Sequence, residues 1–144
     1  IRDIVKTIQK YDINVLGNYI FGFPGDSLDS MNDTLDLAMD LKTEHANFYA
    51  CAALPGSPLY FSELKSNSDR RSLQEYSFLS YETKPLKTKY CSPEQVLKFR
   101  DDAWSKYFSN QDYLNMIENK FGLDNRKNIE EMSKIKLKRK ILGD

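Results

Sequence analysis

Three side chains of this sequence belong to types that bind metal ions or form thiolate nucleophiles. They are His45, Cys51 and Cys91, the single histidine and the two cysteines of a 144-residue chain. Five residues separate the first two, and thirty-nine separate the two cysteines. Zinc sites use short, repeated spacings between paired ligands, and these spacings do not match them. We therefore interpret Cys51 as a buried strand residue and Cys91 as a loop residue.

The glycines raise a second possibility, the binding of phosphate. Gly17 and Gly22 have four residues between them, as in a phosphate-binding loop. That loop needs Lys and Ser or Thr directly after the second glycine, but here Phe23 and Pro24 follow. The dinucleotide-binding pattern GxGxxG is also absent. Gly22 and Gly25 are therefore interpreted as turn glycines.

The charged residues indicate no catalytic centre. Glu94, Asp101 and Asp102 fall on predicted helix surfaces, without a partner that would mark a general acid or base. Residues 126–144 carry seven Lys or Arg against three Asp or Glu. This basic excess is small and has no interleaved aromatic residues, so a solvated helix face explains it better than a nucleic-acid or membrane surface. We expect neither nucleic acid nor membrane as a partner.

The first third of the chain has the order helix, strand, helix, strand. Residues 1–10 and 28–42 have helical apolar periodicity, and Ser27 is a good N-cap for the second helix. Residues 13–22 are β-rich and almost uncharged, which predicts a strand buried on both faces, and the uncharged residues 46–54 predict a second strand. Alternation of this kind predicts a parallel α/β sheet.

The remainder of the chain is predicted to be mainly helical. The predicted elements are a short helix at 58–65, a surface loop at 66–90, and helices at 93–109, 111–121 and 125–142. Ser92, Pro93 and Gln95 form a complete helix start, and Gly122 ends the next helix. The sequence contains no internal repeat.

Both predicted strands end in a rigid turn. The turns are Phe23-Pro24-Gly25 and Leu54-Pro55-Gly56. Parallel α/β folds bind ligands beyond the carboxyl ends of their strands. Two such turns at one edge predict a flat, apolar shelf with exposed main-chain groups, which suits an aromatic base.

Composition limits the class of protein. Hydrophobic residues make up 40% and charged residues 29%, with a formal net charge of zero, which is typical of a single globular domain. No apolar run approaches the ~20 residues of a membrane span, and two distant cysteines favour a reducing cytoplasm. Because Ile1 lies within a predicted helix, we expect the chain to be a fragment of a larger protein.

The quoted segments also carry a family resemblance. NYIFGFPGDSLDSM followed by ANFYACAALPGSPLY resembles the fifth and sixth strands of a radical S-adenosylmethionine (SAM) barrel. The similarity is to the cobalamin-binding branch, which includes the anaerobic magnesium-protoporphyrin IX monomethyl ester cyclase. YSFLSYETKPLKTKYCSPEQVLKFRDDAWSKYF and YLNMIENKFG resemble the C-terminal extension of those proteins. The implied fold is α/β, with a partial TIM-like barrel carrying a parallel βαβ core at 1–60 and a helical extension at 61–144.

The resemblance implies a role for the two turns. In that family the strand-five motif and the strand-six turn pack against the adenine of SAM, largely through main chain. The matching residues here are Ile20, Gly22 and Phe23 for the first and Ala53, Leu54 and Pro55 for the second. A turn that seats an adenine needs no reactive side chain.

The chain also departs from the family. The CxxxCxxC loop that holds the 4Fe–4S cluster is absent, and so are the first four strands and the cobalamin-binding domain. The resemblance therefore implies an oxidoreductase fragment that binds no cofactor and is not catalytic alone. The parent protein would use SAM, the cluster and cobalamin to generate a 5′-deoxyadenosyl radical and act on an unknown small molecule.

Two further expectations concern partners. The fragment should contact the remainder of its parent chain. On its own it should self-associate through the strand edges at 13–22 or 46–54, unless residues 66–90 or the C-terminal helices cover those edges. The alternative hypothesis, from another functional class, is a free-standing helical interaction domain that binds a protein partner.

Overall fold

A computed structural model describes residues 1–66 and 72–144, so part of the predicted 66–90 loop, residues 67–71, lies outside the described residues. None of the helices in those ranges is both long enough and apolar enough to cross a membrane. The elements, in chain order, are α1 (Arg2–Lys10), β1 (Leu16–Phe21), α2 (Leu28–Leu41), β2 (His45–Ala50), α3 (Pro58–Ser66), a 3-10 turn (Leu73–Tyr76), α4 (Pro93–Phe108), α5 (Gln111–Phe121), α6 (Leu123–Ser133) and a second 3-10 turn (Lys140–Leu142).

The two strands form a parallel βαβ unit, as predicted. Leu16 lies opposite His45 and Phe21 lies opposite Ala50, with α2 as the crossover. The sheet formed by the described residues has two strands. Two strands do not define a barrel, so the observed fold is mixed α/β with a helical C-terminal part.

The predicted burial of both sheet faces is wrong for β1. Tyr19 and Phe21 are buried, whereas Leu16 and Ile20 on the opposite face are 54% and 41% exposed. Helices α2 and α4 pack against the face that carries Tyr19 and Phe21, and an apolar composition alone does not reveal which face of a strand is covered. Both strands are also shorter than predicted. β1 ends at Phe21 because Gly22 has a φ of +87° and leaves the extended conformation.

The covered face of the sheet forms the main core with α2, α4 and α5. Phe48 of β2 is central to it: its ring centroid lies 5.3 Å from that of Tyr107 and 6.4 Å from that of Phe108. Tyr19 and Phe21 stack on the same ring. Aromatic side chains bury large apolar areas, so these contacts contribute much of the stability of the fold.

The predicted helix starts are confirmed. Ser27 caps α2 in a reciprocal capping box with Ser30, and Ser92 does the same for α4 with Gln95. Pro93 occupies the first position of α4. These signals depend on residues close together in sequence, which is why the sequence alone reveals them.

The predicted final helix at 125–142 is wrong in its second half. Helix α6 ends at Ser133, and residues 135–139 belong to no helix or strand. The side chain of Arg139 is fully buried and binds Asp101 of α4. The apolar periodicity of this segment predicts that the helix continues. In the structure the chain leaves the helix instead, and Arg139 is buried in a polar network.

Candidate functional site

The two Pro-Gly turns lie side by side at the carboxyl ends of β1 and β2. The N–H of Cys51 donates to the carbonyl oxygen of Phe21 at 2.7 Å, immediately before both chains turn away. The parallel register places Phe21 opposite Ala50. The sheet therefore brings both predicted turns to one edge, as expected.

The side chain of Asp26 holds the first turn in shape. Its Oδ2 accepts hydrogen bonds from the N–H groups of Gly22 and Phe23, both at 2.9 Å, and its Oδ1 accepts one from the Ser30 hydroxyl at 3.0 Å. The N–H of Asp26 donates to the carbonyl of Phe23 at 2.8 Å. Sequence reasoning missed this clamp, although Asp after a Pro-Gly pair is a recognised turn former.

Gly22 is required at the start of this turn for two reasons. Its φ of +87° is a conformation that side chains disfavour, and an added Cβ would lie 2.4 Å from Cγ1 of Val96 in α4. The backbone of the turn therefore packs directly on α4. The interpretation of Gly22 as a turn glycine is confirmed.

The second turn is built by main-chain hydrogen bonds. The N–H of Leu54 donates to the carbonyl of Ala52, and the N–H of Ser57 donates to that of Leu54, both at 3.0 Å. Ala53 is buried against Cys51 and Leu86. The side chain of Leu54 is 47% exposed.

The segment 86–89 joins the first turn to the residue that follows β2. The N–H of Leu86 donates to the carbonyl of Cys51 at 3.1 Å, and the N–H of Lys89 donates to the carbonyl of Pro24 at 2.8 Å. These main-chain bonds tie the first turn to the chain that leaves β2 and leads into the second turn. Sequence reasoning missed this contact, because the segment lies thirty residues beyond the second turn and still farther beyond the first.

The six predicted site residues share this end of the sheet but differ in exposure. The exposed side chains are Ile20, Phe23, Leu54 and Pro55, whereas Gly22 and Ala53 are buried. The prediction of freely exposed N–H groups needs correction at Gly22 and Phe23, because Asp26 occupies both.

Two main-chain positions keep groups that a ligand could bind. Within the described residues, no hydrogen bond reaches the carbonyl of Gly22 or the N–H and carbonyl of Ala53. Ala53 is only 2% exposed. Buried main-chain groups are normally paired, so the adjacent donor and acceptor of Ala53 are suited to a bound polar edge.

The open face of the sheet carries polar side chains that sequence reasoning missed. Nδ2 of Asn47 donates to Oδ1 of Asn18 at 3.0 Å, one position from Ile20 along the same face. Tyr49 completes this face, and its ring packs edge-on against Phe78. The sequence signal that could have indicated this pair is the single asparagine within each otherwise apolar strand.

The titratable groups do not form a reactive centre at this edge. Burial raises the pKa of the Cys51 thiol, and the negative charge of Asp26 raises it further, so the thiol stays protonated at neutral pH. Over residues 1–66 and 72–144, no three His, Cys, Asp or Glu side chains form a group that could hold a metal ion. With two cysteines, both buried, the chain does not fit a 4Fe–4S cluster.

Three curated proteins show the range of sequence similarity. An uncharacterised methyltransferase of Pyrococcus horikoshii is 27% identical over 108 residues, 74% of this chain and 23% of that protein. The bacteriochlorophyllide d C-12(1)-methyltransferase of Chlorobaculum tepidum is 32% identical over 84 residues, 58% of this chain and 18% of the relative. A tRNA-2-methylthio-N(6)-dimethylallyladenosine synthase of Shewanella frigidimarina is 34% identical over 59 residues, 40% and 12% of the two chains.

These matches cover a small part of each relative. The chain spans 23% of the length of the first relative and 18% of the second. No family model matches the chain, and no solved structure matches it. These partial matches relate the chain to radical SAM enzymes.

Proposed function

We propose that this chain forms part of the SAM site of a radical SAM enzyme, with the two Pro-Gly turns seating the adenine. The observation that carries the proposal is the main chain of Ala53, whose buried N–H and carbonyl lack an internal partner. An adenine edge offers one acceptor and one donor to such a pair. The partial similarity to radical SAM enzymes supports the same assignment.

The residues of this chain would bind and orient the base. Ile20, Phe23 and Leu54 expose apolar surface on which an aromatic ring can pack. Asp26 and the segment 86–89 fix the turns, so that little ordering is needed when a ligand binds. Bound to a 4Fe–4S cluster held elsewhere, SAM would supply the radical chemistry.

The reaction that the radical SAM enzyme catalyses is also a proposal. The motif resemblance supports a cobalamin-binding oxidoreductase similar to the anaerobic magnesium-protoporphyrin IX monomethyl ester cyclase, located in the cytoplasm. Two of the relatives are named as methyltransferases, which favours methyl transfer as the second candidate reaction. In either case the cluster would lie outside this chain, and we expect the chain alone to be inactive.

The test is a titration of the 144-residue chain with 5′-deoxyadenosine, followed by amide NMR spectra, which detect weak binding. We expect the amide signals at 20–23 and 53–54 to shift in a saturable manner. Leu54→Asp should abolish these shifts, whereas Leu73→Asp, at an exposed position in a 3-10 turn, should preserve them. Shifts confined to other segments, or none at saturating nucleoside, would refute the adenine site.

The partner of the open sheet is a separate proposal. We infer that β1 contacts a further strand, either from the remainder of a parent chain or from a second copy. The exposed face of β1 and its uncharged edge support this inference. The alternative, a free-standing interaction domain, predicts binding through the helices instead.

A further inference from the structure

A groove lies between α4 and the segment that follows α6. Its volume is about 650 Å³, and its apolar lining comprises Leu79, Trp104, Met132, Ile135, Leu137 and Leu142. This size falls within the range of ligand-binding clefts, about 300–1,000 Å³. The groove shares no lining residue with the two turns, so its function is independent of the SAM proposal.

The groove is bordered by a stretch of chain that we call the basic strap, residues 134–139. Residues 135–139 belong to no helix or strand, and Arg139 has an extended backbone. In the part of the chain that the structure describes, no hydrogen bond reaches the peptide groups of Lys136, Leu137 or Lys138. A segment outside helices and strands whose peptide groups are unpaired can pair with the backbone of a ligand strand.

Arg139 anchors the basic strap. Its guanidinium binds both carboxylate oxygens of Asp101, at 2.8 and 2.9 Å, and also donates to the carbonyls of Phe78 and Ser80 and to the Thr83 hydroxyl. The strap is therefore held beside α4 and does not need to be ordered by a ligand. Preorganisation of this kind lowers the entropic cost of binding.

The charges around the groove are unbalanced. Asp102 binds Lys98 at 2.8 Å and Asp101 binds two arginines, so both of these charges are compensated. Asp144 accepts the neutral N–H of Arg139 and keeps its negative charge. Lys136 and Lys138 have no ionic partner among the described residues. The uncompensated charge of the groove and strap is therefore positive.

We propose that this groove binds an extended, acidic peptide segment of another protein by strand addition to the basic strap. The peptide groups of 136–138 would pair with the ligand backbone, and alternate apolar side chains of the ligand would enter the groove over Trp104. Acidic side chains on its other face would pair with Lys136 and Lys138. A free acidic peptide is sufficient for this recognition, and no covalent step is involved.

The probe is a blocked, fluorescein-labelled peptide in which glutamate and leucine alternate, and the readout is fluorescence anisotropy with the 144-residue chain. We expect saturable binding that weakens as salt is raised. The double variant Lys136→Glu/Lys138→Glu should weaken binding by about tenfold or more. Lys127→Glu, an exposed position on α6 away from the groove, is the matched control and should leave binding unchanged.

Two altered probes separate the proposal from simpler explanations. A peptide with lysine in place of glutamate tests charge, and one with alternate N-methylated peptide groups tests strand addition; both should bind about tenfold more weakly. Equal binding of either peptide, or an undiminished affinity of the double variant, would overturn the proposal. Binding to phosphatidylserine vesicles with none to the peptide would also overturn it, in favour of a membrane surface.

Discussion

Arg139 and Asp101, thirty-eight residues apart, form a two-pronged ion pair that ties the end of the chain to α4. The arginine side chain is fully buried, whereas the aspartate is 25% exposed. Asp101 also accepts from Arg100, whose Nε donates to the carbonyl of Phe48 at 2.7 Å. One carboxylate thus links the basic strap, α4 and the edge of β2.

We expect Arg139→Met to lower the free energy of unfolding by about 3 kcal/mol, because the substitution leaves carbonyls and a carboxylate without their donor. Urea titration followed by circular dichroism measures the change. Lys138→Met, at an exposed neighbour, should change stability by less than about 0.5 kcal/mol. A loss below about 1 kcal/mol for Arg139→Met would contradict a structural role for the pair.

A second prediction concerns Gly22. We expect Gly22→Ala to cost about 1–3 kcal/mol from its positive φ alone, plus the cost of displacing Val96, whose Cγ1 would lie 2.4 Å from the new methyl group. Adding Val96→Ala should make the cost of Gly22→Ala smaller, since only the backbone strain then remains.

The control for this prediction is Gly25→Ala in the same turn. An added methyl group there meets no atom within 4 Å, so stability should change by less than about 0.5 kcal/mol. Equal costs at Gly22 and Gly25 in thermal unfolding would show that the close packing of the turn on α4 is not important for stability.

The sequence predicted the local features and missed those that depend on distant partners. The N-cap at Ser27 and the capping box of Ser92 with Gln95 involve residues only three positions apart in the sequence, and both predictions are confirmed. The Arg139–Asp101 pair was missed, because nothing near Arg139 indicates a carboxylate in α4. The open face of β1 was missed for the same reason: the sequence of a strand does not show which of its faces a distant helix will cover.

The candidate site also combines features that the sequence predicts with features that depend on distant residues. Parallel strands place their turns at one edge as a matter of topology, so the proximity of Phe23 and Leu54 could be predicted. The main-chain bonds of the segment 86–89 to Cys51 and Pro24 could not be predicted. The adenine contacts of the six site residues remain a prediction.

A third prediction concerns acid stability. Burial alone would raise the pKa of Glu44, but hydrogen bonds from the N–H of Val15, from Lys120 and from Gln9 outweigh it and hold the pKa below its ordinary value of 4.5. A lowered pKa means that the stabilisation is complete above about pH 4.5 and is lost as the pH falls through the folded-state pKa. We expect Glu44→Gln to reduce the dependence of unfolding free energy on pH in that window.

Urea titrations at a series of pH values from neutral to acidic measure this dependence. The matched control is Asp36→Asn, at an exposed position on α2, which should keep the slope of the unmodified chain. If Glu44→Gln and the unmodified chain have the same slope below pH 4.5, the ionised form of Glu44 is not stabilised by folding.

The last prediction concerns the two edges of the sheet. His45 and Cys51 donate to β1, and main-chain groups alternate along a strand, so those of Phe48 point to the outer edge of β2. Arg100 of α4 binds the carbonyl there at 2.7 Å, which blocks that edge. By the same alternation the peptide groups of Leu16, Asn18 and Ile20 point to the outer edge of β1, and no hydrogen bond among the described residues reaches them.

β1 is also without the charged residues and prolines that commonly protect an edge strand. If the chain self-associates, we therefore expect it to do so through β1 and not through β2. Sedimentation equilibrium over a range of concentrations should show association that Ile20→Lys weakens and Leu73→Lys, at a distant exposed position, does not. A single 16.8 kDa species at high concentration would show that the edge of β1 recruits no second copy.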